Sequence, residues 1–223
     1  MKFTDRAFMF RLFSFARLHA PLALAGFFLF FARSAHAQNR EPLPMHIVVI
    51  ANNLKQLEAA SGNRPFGIVD KAMARLFLFD ATARHLGSTP VLLGLAKGDI
   101  SPAGIGERPV STIKAHEKIT PSGRFVVELG TNLRGEEVAW LDYKEGLSMH
   151  PVLRTGDRLK RLATSTPDDN RISAGCINVP ALFHRKTLLK LFMGRSGGVV
   201  YILPENQNPN DWVASLKVNQ GGK

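Results

Sequence analysis

Apolar residues along this chain fall into short runs bounded by Gly, Pro, Asp and Asn, the pattern of strands and turns rather than of long helices. His46 to Ala51 (HIVVIA) is a β-branched run, and Phe66 to Asp70 and Ala72 to Asp80 are strand-like segments. Leu54 to Ala60 has room for a helical turn or two. His85 to Ala96 continues as a strand interrupted by Pro90, which suits an edge or a bulge. Gly98 to His116 mixes Gly, Pro, Ser and charge without periodicity and reads as a long loop, a kind of segment that is functional or mobile in compact domains. Arg124 to Leu129 and Glu137 to Tyr143 read as two further strands joined by a turn at 130–135. After Pro180, the apolar positions Leu182, Phe183, Leu188, Leu189, Leu191 and Phe192 predict an amphipathic helix ending at Gly194. Val199 to Leu203 is a last strand, and the polar stretch from Pro204 reads as a loose tail.

This inventory predicts a mainly β domain, a sandwich or barrel-like fold with one or two short helices. Its organisation is read as a leader at 1–37, an extended lead-in at 38–63 containing Pro42 and Pro44, one domain at 64–204, and a tail at 205–223. There is no internal repeat.

The leader changes the compartment. Lys2, Arg6, Arg11 and Arg17 precede and flank the stretch LHAPLALAGFFLFFA, and Ala35-His36-Ala37 closes the segment, the order of a secretory signal peptide cut after Ala37. The apolar run is shorter than the ~20 residues a spanning helix needs. The chain is therefore expected to be exported, to a periplasm or cell envelope. Its formal net charge is +11. Loss of the leader, with five basic residues and one acid, leaves the remainder basic. A basic exported protein is attracted to polyanions such as anionic lipid and cell-wall polymer, although the same charge also serves solubility. Nucleic acid is a poor candidate, because no basic stripe with interleaved aromatics is visible.

Cys176 is the only cysteine. In an oxidising compartment it has no internal disulfide partner, so it is a buried inert thiol, an intermolecular bridge or a nucleophile. Its setting, Ser173-Ala174-Gly175-Cys176-Ile177-Asn178, has small residues that let backbone N–H groups approach a ligand, as an oxyanion site requires. A nucleophilic thiol also needs a base. His184 reads as a solvated helix residue, His46 and His85 as strand-start residues, and His116 as an exposed loop residue. His150 ends the strand-like LSMH before Pro151, a place from which a side chain can point into a cleft. Neither C-x-x-C nor H-E-x-x-H occurs, so no metal is expected, and no cofactor.

With these residues the chain resembles the L,D-transpeptidase (YkuD) catalytic-domain family, whose signature is a histidine, a spacer, then Ser/Thr-His-Gly-Cys, an apolar residue and Asn or Arg. Here His150 precedes Ser173 to Asn178 by 22 intervening residues. ARLFLFDATARHLGSTPVLLGLAKGD resembles the family's early hairpin, and Thr120 to Phe125 (TPSGRF) its T-P-x-G-x-F element, so the likeness covers about residues 64–203. Two departures stand out: Ala174 replaces the motif histidine, and the spacer is longer. The resemblance implies acyl transfer on peptidoglycan stem peptides, with the bond between meso-diaminopimelate and D-alanine as donor. It implies Cys176 as nucleophile, His150 as base, and Ser173, Ala174, Gly175 and Asn178 as residues shaping the site and its oxyanion hole; Arg154 and Arg171 are expected besides as substrate-binding residues. The basic spacer containing Arg154, Arg158, Lys160 and Arg161 is either an acceptor-recognition loop or a surface insertion. Two rivals stay open, an L,D-carboxypeptidase passing the acyl group to water and a non-catalytic wall-binding module with a buried Cys176. The oligomeric state is not legible.

Overall fold

A computed structural model describes residues 42–194 and 197–218. The leader expected at 1–37 lies outside the described residues. Among those described, no helix is long and apolar enough to cross a membrane.

The fold is mainly β. Eight strands form one sheet: β1 (Phe66–Asp70), β2 (Arg75–Phe79), β3 (His85–Pro90), β5 (Gly123–Thr131), β6 (Glu137–Asp142), β7 (Leu147–Pro151), β9 (Ile177–Val179) and β10 (Gly198–Ile202). Their spatial order is β3-β2-β1-β10-β5-β6-β7-β9, and a short parallel pair joins β4 (Leu93–Gly94) to β8 (Arg171–Ser173). β1 with β10 and β7 with β9 are parallel, the other pairs in the large sheet antiparallel. Just after β3, Leu92 exchanges both backbone hydrogen bonds with Asn178 of β9, at 3.0 and 2.9 Å. The two ends of the sheet are thereby brought together and the curl nearly closes. Pro90 ends an edge strand, as its missing N–H demands.

Strand β2 shows how both faces are used. Leu76 and Leu78 enter the core inside the curl, with Val127, Ala139, Met149, Ile177 and Val200. Phe77 and Phe79 point the other way, into a second core with Phe66, Ile68, Val199 and Tyr201. A strand covered on both faces needs no polar alternation, hence the unbroken RLFLF.

The cover of the second core corrects two expectations. The segment from His46 is not a strand but part of helix α1 (Met45–Ala60), with Ile47, Ile50, Ala51, Leu54 and Leu57 buried. Those positions have helical spacing, and the apolar stripe they form packs on Phe66 and Tyr201, which outweighs the β preference of Val48 and Val49. The presumed loose tail contains helix α5 (Pro209–Val218), which buries Val213 in the same core. At the inner core, the helix expected after Pro180 runs as α3 (Ala181–Phe183), a π-helical turn (His184–Leu188) and α4 (Leu189–Phe192). Leu188, Leu189 and Phe192 plug the curl.

Candidate active site

Strand parity assembles the site. In the parallel pair β7/β9, Met149 is the register partner of Ile177 and His150 of Asn178. Met149 and Ile177 face the inner core, so His150 and Asn178 lie on the opposite face. Two residues before each of them, Ser148 on β7 and Cys176 just ahead of β9 meet on that side, and Ser148 Oγ–H donates to Cys176 Sγ at 3.7 Å. The thiol itself donates to the Gly146 carbonyl oxygen at 3.2 Å.

His150 and Cys176 perturb each other's proton affinity. Burial disfavours charge on the imidazole, but the neighbouring Cys176, through hydrogen bonding and the negative charge of its thiolate form, leaves His150 above its ordinary pKa. Burial likewise pushes the Cys176 thiol up, and His150 more than reverses this, so the thiol sits below its ordinary value. Both directions favour a thiolate beside an imidazolium, the nucleophilic form of a cysteine.

The turn before β9 holds Cys176 in place. Ser173 Oγ donates to the Cys176 carbonyl at 2.6 Å and accepts from the Gly175 N–H at 3.1 Å. Gly175 has φ +142°, and a Cβ there would lie 2.9 Å from the Ile119 carbonyl oxygen, so only glycine fits. Because the Gly175 N–H is engaged by Ser173, the expectation that it helps form an oxyanion hole is corrected. Of the two N–H groups considered, that of Cys176 is left for the role. Ala174 lines the cavity beside Cys176.

Thr120 was not singled out as a site residue, although it opens the TPSGRF element. It is fully buried, accepts from the Gly94 N–H at 2.8 Å and donates to the Gly175 carbonyl at 2.7 Å. One hydroxyl thus ties β4 to the cysteine turn. Ser148 was also missed, because nothing in the sequence states which face of β7 it occupies.

A cavity of about 140 Å³ opens at Cys176. Its floor is Gly146, Leu147 and Ala174 to Cys176, and its roof is Ile105, Arg108, Val110 and Ile113 from the long loop. That loop is ordered into three single 3₁₀ turns. Glu145 accepts from the N–H groups of Gly104 and Ile105, at 3.2 and 3.1 Å, and Arg108 forms a two-pronged ion pair with Glu117. At Gly106 a Cβ would meet the Lys144 carbonyl oxygen at 2.3 Å, so the roof and the β6–β7 turn touch backbone to backbone.

Other expected residues lie elsewhere. Arg171 is not a surface group awaiting a substrate: its guanidinium pairs with Glu205 and donates to the carbonyls of Ala96 and Lys71. Lys71, buried beside it, bonds Asp99 at 2.8 Å and the Thr120 carbonyl at 3.1 Å. The four charges neutralise one another inside the protein, which corrects the substrate-binding expectation for Arg171. Arg154 is exposed on the loop after β7. His116 is exposed, as read, whereas His46 sits on α1 and bonds Asp70 at 2.8 Å, and His85 opens β3 against Phe77 and Phe79. His184 is buried rather than solvated, and burial lowers its pKa to about 4. Among the described residues no group of His, Cys, Asp and Glu is placed to hold a metal ion.

No family model and no curated protein matches the chain. Solved structures similar to it include an L,D-transpeptidase from Stackebrandtia nassauensis, 15% identical over 64% of this chain and 56% of that one, with a TM-score of 0.38. The catalytic domain of an E. faecium L,D-transpeptidase is 19% identical over 63% of this chain and 98% of its own, with a TM-score of 0.34. A variant of the helical cell shape determining protein Pgp2 from Campylobacter jejuni is 14% identical over 78% of this chain and 62% of that one, with a TM-score of 0.41. This chain therefore spans little more than half the length of the first of these. The similarity is one of fold.

Proposed function

We propose that this protein is an exported cysteine acyltransferase of the L,D-transpeptidase kind, acting on peptidoglycan stem peptides. The observation that carries this reading is the placement of Cys176 and His150 on one face of β7/β9, beside the cavity that ends at the thiol.

In the first step His150 holds the thiol proton while the Cys176 thiolate attacks the carbonyl carbon of the bond between meso-diaminopimelate and D-alanine. Negative charge develops on the carbonyl oxygen, where the Cys176 N–H donates. Collapse breaks the C–N bond, the leaving amine takes the proton from His150, and a thioester on Cys176 remains. In the second step an acceptor amine, deprotonated by His150, attacks the thioester, restoring the thiol and forming a new amide. Arg154, exposed four residues after His150, is the basic side chain offered to an anionic group of the wall. Cys176 is a half-buried residue that lines the cavity, where a substrate carbonyl can reach it, and this supports catalysis over a passive wall-binding module.

The test is incubation of the protein, without residues 1–37, with tetrapeptide muropeptides, products being resolved by mass. Cross-linked dimers with released D-alanine support transfer. Tripeptide as the only product replaces transfer by hydrolysis. A protein that forms no thioester and whose Cys176 resists alkylation is not this enzyme.

A further inference from the structure

We propose that Arg158 is a positioning residue that, through Asn178, fixes which nitrogen of His150 carries the proton; this rests on the acyl-transfer reading above. The stretch between His150 and Ser173 looks like a surface insertion by composition. Within it, helix α2 (Arg158–Leu162) begins at Arg158, whose Nη1 donates to Asn178 Oδ1 at 2.9 Å.

The consequence follows from donor and acceptor chemistry. A guanidinium only donates, so the Asn178 carboxamide is held with Oδ1 toward α2 and its NH₂ toward β7. That NH₂ lies 3.2 Å from His150 Nε2. On the far side of the ring, Nδ1 is 2.9 Å from the Pro151 carbonyl oxygen, which only accepts. One neutral tautomer satisfies both ends: Nδ1–H donates to Pro151, and the Nε2 lone pair accepts from Asn178. The alternative sets two donors face to face at Nε2 and an acceptor against an acceptor at Nδ1. Nε2 is thus kept as the nitrogen able to receive a proton on the face it shares with Cys176.

Besides Cys176, the charged or titratable groups bearing on His150 are Glu136, which favours its protonated form, His184 behind β7, and Arg158 itself. Without Arg158 only the long hydrogen bond from the Asn178 NH₂ to the Cys176 carbonyl, at 3.4 Å, still orients the carboxamide, which can then turn and offer Oδ1 to a protonated Nε2. Imidazolium then gains an acceptor and loses a nearby cation.

The experiment is ¹⁵N-histidine NMR across a pH titration on the chain without residues 1–37, with His150 assigned by loss of its signals in His150→Gln. In the unsubstituted protein the neutral ring of His150 shows the Nδ1–H tautomer. In Arg158→Ala both tautomers appear and the ring keeps its proton to higher pH, while Arg158→Lys, which retains a donor, restores the single tautomer. Arg158→Ala adds nothing in an Asn178→Ala background. Thioester formation by Arg158→Ala falls roughly tenfold in kcat with little change in KM. An unchanged tautomer and titration in Arg158→Ala overturns the proposal, as does equal disturbance by Ala and Lys. A protein that shows the tautomer and its loss yet transfers no acyl group upholds this inference and sinks only the functional reading.

Discussion

His150 on β7 and Cys176, the residue just before the adjacent parallel strand β9, meet on one side of the sheet, and each holds the other's charged form more stable than it would be alone. His150→Ala should therefore leave the fold intact and lower thioester formation on a tetrapeptide donor by about 10² to 10⁴. The thiol of that variant loses the influence that depresses its pKa, so its alkylation should need a higher pH. His46→Ala, His85→Ala and His116→Ala should change the rate far less. Acylation at the unsubstituted rate by the His150 variant would remove this residue from the site.

Thr120 joins two buried backbone groups through one hydroxyl. Thr120→Val keeps the shape and strands the Gly94 N–H and the Gly175 carbonyl, each an unsatisfied buried group costing about 1–3 kcal/mol. Urea denaturation should show a lower midpoint with an unchanged slope, and the variant should acylate more slowly because the cysteine turn has lost its tether. An unaltered midpoint would show that water replaces the hydroxyl.

Arg171 separates a structural role from a binding role. Its guanidinium closes an ion network with Glu205, Lys71 and Asp99. Arg171→Ala leaves Glu205 short of a partner, and breaking a buried pair costs about 3–5 kcal/mol. The thermal midpoint should drop clearly. A rise in KM at unchanged stability would instead restore the substrate-binding role.

His184 makes stability pH-dependent. Its folded-state pKa, about 4, lies below the ordinary histidine value of about 6.5 because burial disfavours the charged ring. The unfolded chain thus binds a proton that the folded chain refuses. The stabilisation is complete above the unfolded value and is lost as pH falls toward 4, a total of about 3 kcal/mol from this group. Denaturant titrations between pH 7 and 4 should show the fall, and His184→Gln should flatten that part of the profile. A variant as pH-sensitive as the parent would assign the effect to other groups.

Much of this molecule was legible from residues alone. The strands read at 66–70, 124–129, 137–143 and 199–203, each within a residue or two of those observed, announce themselves because runs of apolar and β-branched residues between turn formers have few other ways to be buried. Cys176 stands out as the lone thiol in a turn of small residues, and the left-handed φ of Gly175 is what that small-residue signal expressed. His150 could be favoured by its place at a strand end.

What the chain could not state alone concerned partners distant in sequence. A segment such as HIVVIA is compatible with strand or helix, and the sheet face awaiting cover made it a helix. His184 follows the same logic, since a polar residue on a helix is solvated or buried according to what packs against it. Pairing register decided the site itself: shifting β9 by one residue against β7 would turn Cys176 away from Ser148 and His150 without changing a letter. Local propensity is written in neighbouring residues, whereas register, burial of charge and the meeting of Arg158 with Asn178 arise only when the sheet curls and brings remote segments within hydrogen-bond range.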